Sequence, residues 1–294
     1  MQNEEIGQVR RFNRVVTQRV GALQDSYLSR GRPLGEARLI FEAGLSESVD
    51  VSSLRQRLGL DSGYLSRLLR SLEGQGVVEV RRKAADGRAR QVHLTQKGRG
   101  EFETYNVLSD QLAASLLSPL QPAQRTRLVA AMAEVERLLR ASTVEIAVEP
   151  ADSADARWCL EQYYAELTER FEAGFDPLLG NTFHAAEMTP PAGWFVLARL
   201  DGVPIGCGAL KALDADSGEI KRVWTAPEAR GMGVASRLMD RLEALGREAG
   251  FKILQLDTNK ALSEAHALYR KRGYREIGRY NDNPYAHHWF EKAL

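Results

Sequence analysis

Cysteine is nearly absent: 294 residues contain two, Cys159 and Cys207. They lie far apart in apolar contexts, which implies buried free thiols in a reducing compartment and excludes a disulfide scaffold. No apolar run approaches the ~18 residues of a spanning helix, so no membrane segment is expected. Glu4 and Glu5 stand where a signal peptide would need apolar residues, so a cytoplasmic location is expected. Histidine is scarce, and His184, His287 and His288 lack metal-ligand spacing. Adjacent residues of a strand point to opposite faces, so the last two cannot chelate together, and no metal is expected. Net charge is small, at +1, but unevenly spread. Residues 1–142 hold 22 Lys and Arg against 16 Asp and Glu, whereas residues 143–294 hold 18 against 23. In a chain long enough for two domains of ~150 residues each, a basic half joined to an acidic half suggests a nucleic-acid module fused to something else.

In the basic half, Val9, Phe12, Val16, Val20, Leu23 and Tyr27 recur at helical spacing. They predict one long amphipathic helix, whose stripe packs into a core or against a second copy of itself. Gly31 and Pro33 end it. A short helix with Ala37, Ile40, Phe41 and Leu45 follows. Asp50 or Ser52 caps the next helix, which carries Leu54 and Leu58 and ends at Gly59. Over residues 61–76, Leu65, Leu68, Leu69 and Leu72 form a buried face, and Ser62, Tyr64, Ser66, Arg67 and Arg70 occupy the others. Two short helices joined around a glycine form a helix-turn-helix, whose second helix enters the major groove. Asp61 and Ser62 also suit a capping role. Residues 77–80 and 91–94 read as strands flanking a basic stretch with Arg81, Arg82 and the turn pair Asp86-Gly87, a β-ribbon or wing. Nine Lys and Arg against four Asp and Glu lie between Arg55 and Arg90. Thr95 caps a helix to Leu117, Pro119 and Pro122 break the chain, Leu128, Met132, Val135 and Leu139 form another stripe, and residues 141–143 read as a short linker.

This half resembles the MarR family of winged-helix regulators. The likeness is carried by Leu58-Gly-Leu60, the helix from Tyr64 to Glu73 ending in Gly76, Asp86-Gly-Arg88, and Leu94-Thr-Gln-Lys-Gly98. It covers about residues 1–140. It implies a homodimer, formed through this domain, on a pseudo-palindromic double-stranded DNA operator. It also implies Arg88 at the wing tip in the minor groove, oriented by Asp86; the negative potential of a narrow A·T groove suits an arginine. Arg67 and Arg70 would meet phosphates or a guanine edge. Ser62, Tyr64, Ser66, Arg81 and Arg82 complete the DNA-binding set.

The acidic half centres on residues 219–236. A strand (Ile220, Val223, Trp224) is broken by Pro227, Arg230 to Gly233 form a tight turn, and Val234, Leu238, Leu242 and Leu245 start a helix. Such a unit presents free amides at the positive end of a helix, an anion site. Gly231 and Gly233 have no Cβ to keep the anion away. Gly231-x-Gly233-x-x-Ser236, with Asp257 ending the next strand, is a near miss to a dinucleotide fingerprint. Serine replaces its last glycine, and the glycines lie several residues beyond the strand. Around this block the expected elements are a strand at 144–148, a helix from Ala154 capped by Asp152 or Ser153, an aperiodic stretch at 172–192, a hairpin of 194–200 and 204–210 turning at Asp201-Gly202, a buried strand at 251–257, a helix at 263–271 ended by Gly273, and strands at 275–280 and 287–290.

Arg230-x-x-Gly233-x-Ala235 resembles the acetyl-CoA loop of the GNAT superfamily of N-acetyltransferases, and the order of elements matches that fold. The expected architecture is therefore a mainly α winged helix-turn-helix domain, residues 1–142, followed by an α/β GNAT domain with a mixed, mostly antiparallel sheet, residues 143–294. The resemblance implies acetyl-CoA as co-substrate. Backbone amides of Gly231, Met232, Gly233, Val234, Ala235 and Ser236 would hold the pyrophosphate. Arg230 adds charge there or pairs with Glu228. The strand edge at Val223, Trp224 and Thr225 would bind the pantetheine as an added strand. Asn259 either assists it or serves the local turn. Glu219 is the candidate base, or else an exposed strand-end carboxylate. Tyr269 is the candidate acid for the departing thiolate, or else a core residue. Residues 172–192 and 280–285 are candidates for acceptor contact. The expected function is a bifunctional transcriptional regulator and N-acetyltransferase acting on a small-molecule amine. The alternatives are a regulator whose inactive GNAT domain senses acetyl-CoA or another ligand, and a protein-lysine acetyltransferase.

Overall fold

The computed structural model describes residues 3–22, 27–83, 86–172, 174–177, 179 and 184–294, with backbone alone at residues 83 and 86–89. Packing divides the chain into two compact units, Met1–Met132 and Ala133–Leu294.

The first unit opens with α1 (Asn3–Arg19), none of whose residues is buried. Ile6, Val9, Phe12, Val15 and Val16 are all exposed on it. The helix is shorter than its apolar spacing predicts, because Gly21 takes left-handed backbone (φ 68°) just past its end. Tyr27 sits in a separate 3₁₀ turn, Tyr27–Ser29, and Leu23 lies outside the described residues. Then follow α2 (Leu34–Gly44), β1 (Val49–Asp50), α3 (Val51–Leu58), α4 (Ser62–Gly74), β2 (Val78–Lys83), β3 (Asp86–Leu94), α5 (Gln96–Leu117) and α6 (Pro122–Ser142). Asp50 occupies the N-cap of α3 without a side-chain cap bond, and Gly59 closes that helix in left-handed backbone.

The three strands order as β1-β3-β2. β1 was not expected; two residues are too few for a periodic signal. The wing strands extend further toward the tip than their hydrophobic ends suggest, so Arg81 and Arg82 lie within β2. Leu39, Ile40, Leu54, Leu65 and Leu72 are fully buried in one core with Val77, Val78 and Val92, each large side chain contributing ~1.5–3 kcal/mol. Thr95 caps α5: its Oγ1 accepts the Gly98 N–H at 3.1 Å and donates to the Gly76 carbonyl at 2.7 Å. Gly98 passes so close to the Val77 carbonyl that a Cβ there would lie 2.1 Å from its oxygen.

The second unit takes in residues 133–142 of α6, so Ala141 and Ser142 are helix and not linker. The helical hydrogen bonding extends past them, the Thr143 N–H still reaching the Arg140 carbonyl at 3.1 Å. The unit continues with β4 (Glu145–Glu149), α7 (Ala154–Arg170), β5 (Gly193–Leu200), β6 (Val203–Ala212), β7 (Ser217–Thr225), α8 (Val234–Glu248), β8 (Ile253–Thr258), α9 (Ser263–Lys271), β9 (Arg275–Ile277) and β10 (His288–Ala293). A seven-stranded sheet orders as β4-β5-β6-β7-β8-β10-β9. Only β7 and β8 run parallel; the other described pairings are antiparallel. Leu238, Met239 and Leu242 of α8 are fully buried with Phe195, Leu197 and Leu210 of the sheet. Ser153 caps α7 by accepting the Ala156 N–H. Both cysteines are free and buried. His288 pairs with Glu276 at 2.6 Å, and no metal-holding group occurs among the described residues. No helix among them is long and apolar enough to cross a membrane.

Candidate functional site

The parallel pairing of β7 with β8 lasts from Ser217↔Ile253 to Glu219↔Gln255 and then stops. Both strands continue, β7 to Thr225 and β8 to Thr258. The sheet therefore splays, and the backbone of residues 220–225 is left without a ladder partner on the β8 side. On its other side β7 shifts register against β6 between Lys221 and Trp224, and Arg222, at φ 55°, stands in that shift. A cleft opens where β7 and β8 part, lined by Val223, Trp224 and Thr225 on one wall and by Leu268 and Tyr269 on the other, with Gly231, Gly233, Val234, Ala235 and Ser236 at its end. Thr225 Oγ1 is buried and has no partner among the described residues.

The glycine turn delivers the helix end. Gly231 and Gly233 both take left-handed backbone, φ 79° and 75°, which β-carbon-bearing residues adopt at a cost. The first intrahelical bond of α8 runs from Arg237 N–H to the Gly233 carbonyl. The amides of Gly233, Val234, Ala235 and Ser236 thus precede the helical ladder, and the helix dipole adds positive potential. Gly233, Val234, Ala235 and Ser236 all face the cleft; Met232 does not. Its side chain is buried and its N–H donates to the Ala229 carbonyl, which corrects its place in the anion-binding set.

Arg230 also departs from expectation. Its partner is Glu166, at 2.6 Å, and not Glu228, because α7 brings Glu166 over the loop. The same carboxylate accepts from Trp224 Nε1 at 2.9 Å and pairs with Arg170 at 3.2 Å. Burial opposes the Glu166 charge, but the bonds from Trp224, Arg230 and Arg170 outweigh it and hold the carboxyl below its ordinary pKa. Nothing in the sequence period marked Glu166, one of several carboxylates on α7. Asn259 is corrected as well. Its Nδ2 donates to the Tyr285 carbonyl at 2.7 Å and its Oδ1 accepts the Ala261 N–H at 2.9 Å. Both ends of the amide are spent on the local turn, and Asn259 does not line the cleft.

Tyr269 lines the cleft and is buried, its ring packed 5.9 Å from Phe290. Burial first, and then the Asp257 charge, raise its hydroxyl well above the ordinary phenol value. Across the sheet opening lies a second, small hollow, lined by Tyr164, Phe175, Lys221, Arg222, Asp257 and Asn283 among others. Tyr163 lines both spaces.

Glu219 is 4% exposed, so it is not the exposed strand-end carboxylate. Its Oε1 accepts from Tyr280 Oη at 2.9 Å and from Asn281 Nδ2 at 3.0 Å, and its Oε2 pairs with Lys221 at 2.9 Å. Asn281 also donates to Asp257 at 2.6 Å, and Asn283 donates to the other Asp257 oxygen at 2.7 Å. The polar, aromatic loop at 280–285 thus joins the two carboxylates. That loop was legible as a composition; the role of Asp257 within it was not.

On the first unit, Ser62, Tyr64, Arg67 and Arg70 are exposed along one face of α4, and Ser66 is half-buried. The Asp61 carboxylate caps the helix by accepting the Tyr64 N–H at 2.8 Å. Arg67 stacks 5.6 Å from the Tyr64 ring. Arg32 fixes the helix from behind: it forks onto Glu101 at 2.6 and 2.7 Å and reaches Glu36 at 2.8 Å, and Glu36 accepts from Ser71 of α4 at 2.7 Å. In the wing, Arg81 donates to Glu79 at 2.9 Å. Arg82 stands directly opposite Arg90. The side chains of Asp86 and Arg88 lie outside the described residues.

Known proteins match in two places. The Acetyltransferase (GNAT) family matches residues 160–274, and a winged helix DNA-binding domain matches residues 43–111. The IAA acetyltransferase of Azospirillum brasilense is 41% identical over 86 residues, 29% of this chain and 56% of that protein. The uncharacterized N-acetyltransferase YjgM of Escherichia coli (strain K12) is 31% identical over 124 residues, 40% of this chain and 73% of that protein. The uncharacterized HTH-type transcriptional regulator YdgJ of Bacillus subtilis (strain 168) is 28% identical over 90 residues, 31% of this chain and 55% of that protein. The chain thus spans little more than half the length of the first and third of these relatives. With the splayed strands, the glycine loop and nearly three quarters of an N-acetyltransferase covered, the chain belongs to the GNAT acetyltransferase family and carries a winged-helix DNA-binding domain ahead of the acetyltransferase fold.

Proposed function

We propose that this protein is a DNA-binding regulator that also transfers acetyl from acetyl-CoA to the amine of a small molecule. The observation that carries the enzymatic reading is the splayed β7–β8 cleft closed by the free amides of Gly233, Val234, Ala235 and Ser236. Those amides suit a pyrophosphate, and the unpaired edge at Val223, Trp224 and Thr225 suits the amides of a pantetheine arm.

Transfer joins the acceptor nitrogen to the thioester carbonyl carbon and breaks its bond to sulfur. The nitrogen loses a proton and the thiolate gains one. Tyr269, kept protonated by its surroundings, is the proton donor to sulfur. Proton acceptance falls to the carboxylates of the 280–285 network. Both oxygens of Glu219 are engaged, and so are both of Asp257, so either carboxylate acts through a neighbour or a water; Asp257 is the one that lines the second hollow.

The regulatory reading rests on the exposed polar face of α4 and on the facing pair Arg82 and Arg90. Like charges opposite one another destabilise a ribbon, and an intervening phosphate reverses that. The exposed stripe of α1 suits a second copy, giving a dimer on a two-fold operator. The full engagement of Glu219 favours one other reading, a regulator whose GNAT domain binds acetyl-CoA without turnover.

Titration of the full chain with acetyl-CoA by calorimetry, with NAD as control, tests the cleft. Saturable binding of acetyl-CoA at one site per chain supports it, and absence of binding refutes it. Thiol release from acetyl-CoA across a panel of small amines and lysine peptides then separates enzyme from sensor, and small-molecule from protein acceptors.

A further inference from the structure

We infer that Arg137, on the helix leading into the acetyltransferase unit, is an additional phosphate-binding residue of the acetyl-CoA site. The inference rests on the proposed acetyl-CoA reading and adds to it a residue from outside the matched GNAT segment, residues 160–274.

The cations around the loop differ in what they have left to give. Arg230 is held by Glu166 and by the Thr225 carbonyl. Arg237 donates to the carbonyls of Ala141 at 2.9 Å and Val144 at 2.6 Å. Arg272 is shared among Ser236, Asp240 and Glu243. Each has at least two protein acceptors. Arg137 has one described partner, Glu134, on the preceding turn of its own helix. Its guanidinium lies against Gly231: a Cβ built there would be 2.1 Å from Arg137 Nη1. Gly231 itself lines the cleft next to the free helix amides.

What places Arg137 there is Arg237. The last carbonyls of a helix have no intrahelical partner, and Arg237 supplies one to Ala141, tying the final turn of α6 to the first turn of α8. Gly231 has no side chain, which leaves room for the guanidinium. Arg137 is 39% exposed; it does not line the cleft itself but stands beside Gly231, which does, so a phosphate seated on the loop would come within reach of a solvent-accessible guanidinium. A guanidinium matches phosphate oxygens in a bidentate fork. The proximity to Gly231 assigns it to the pyrophosphate and not to the 3′-phosphate.

The test is calorimetry on the full chain with acetyl-CoA and with dephospho-CoA, which keeps the pyrophosphate and lacks the 3′-phosphate. Arg137→Ala should weaken both ligands by about tenfold, a loss of the size of a charge-assisted pair. Arg137→Lys should lose less. Glu134→Gln, which releases Arg137, should tighten both. Unchanged acetyl-CoA affinity in Arg137→Ala, with wild-type binding and an unchanged melting temperature, overturns the inference. A loss seen for acetyl-CoA and absent for dephospho-CoA overturns the pyrophosphate assignment. Failure of the wild-type chain to bind acetyl-CoA is a different result; it removes the site itself.

Discussion

Replacing Tyr269 by phenylalanine removes one oxygen and keeps the ring. The ring's contacts to Tyr274 at 6.0 Å and Phe290 at 5.9 Å survive, so stability and acetyl-CoA affinity should stay near wild type. The chemistry should not. A positioned general acid supplies ~10²-fold or more, so kcat for Tyr269→Phe should fall about a hundredfold, or ~2.7 kcal/mol. The assay is release of free CoA thiol at saturating acetyl-CoA; Cys159 and Cys207 are both buried and add little background. The pH dependence gives a second reading. Burial and the Asp257 charge keep the Tyr269 hydroxyl protonated beyond its ordinary titration near pH ~10. The donor is therefore present throughout the neutral range, and wild-type kcat should show no loss of it there. An unchanged turnover number in Tyr269→Phe refutes the role. So does a fall in wild-type kcat near pH ~7 that disappears in the variant, since the ordinary phenol value already lies well above it.

Gly98→Ala drives a methyl to 2.1 Å from the Val77 carbonyl oxygen, where backbone cannot yield easily; it should cost ~2–3 kcal/mol, read as a shift in urea midpoint. Arg67→Ala, on the exposed face of α4, should weaken operator binding and lower the slope of log affinity against log salt by about one, as measured by fluorescence anisotropy. Glu166→Gln removes a carboxylate whose pKa is depressed in the folded state. A depressed carboxylate stabilises above its unfolded value of ~4.3 and loses that contribution as pH falls through its folded value. The gap in melting temperature between wild type and Glu166→Gln should therefore be full at neutral pH and close in acid; a gap that is constant with pH contradicts the assignment.

Much of the architecture was legible because it depends on period and on glycine. Leu65, Leu68, Leu69 and Leu72 declared the buried face of α4, and all four are buried. Asp201-Gly202 declared the hairpin, and both take positive φ there. Gly231 and Gly233 declared the loop before α8. The cleft walls were less legible because they depend on long-range partners. Arg230 read as free or locally paired, since Glu166 lies 64 residues away. Asn259 read equally as a pantetheine contact or a turn residue, and what decides for the turn is a backbone carbonyl 26 residues away, that of Tyr285. Glu219 read as accessible, and only the folded loop shows Tyr280, Asn281 and Lys221 on its two oxygens. The length of α1 was overread because apolar spacing persists past Gly21, which turns the backbone whatever its neighbours favour.

The ending of α6 also bears on how the acetyltransferase can be isolated. Residues 133–142 pack as part of the second unit, and Ala141 and Val144 give their carbonyls to Arg237. A fragment beginning at Thr143 would lose the first of those acceptors and leave a donor of α8 to water. It would also lack the arginine beside Gly231. Shorter gene products made for crystallography or for substrate screening should therefore begin no later than Ala133, and residues inserted at Thr143 would be felt in α8 and not absorbed as slack.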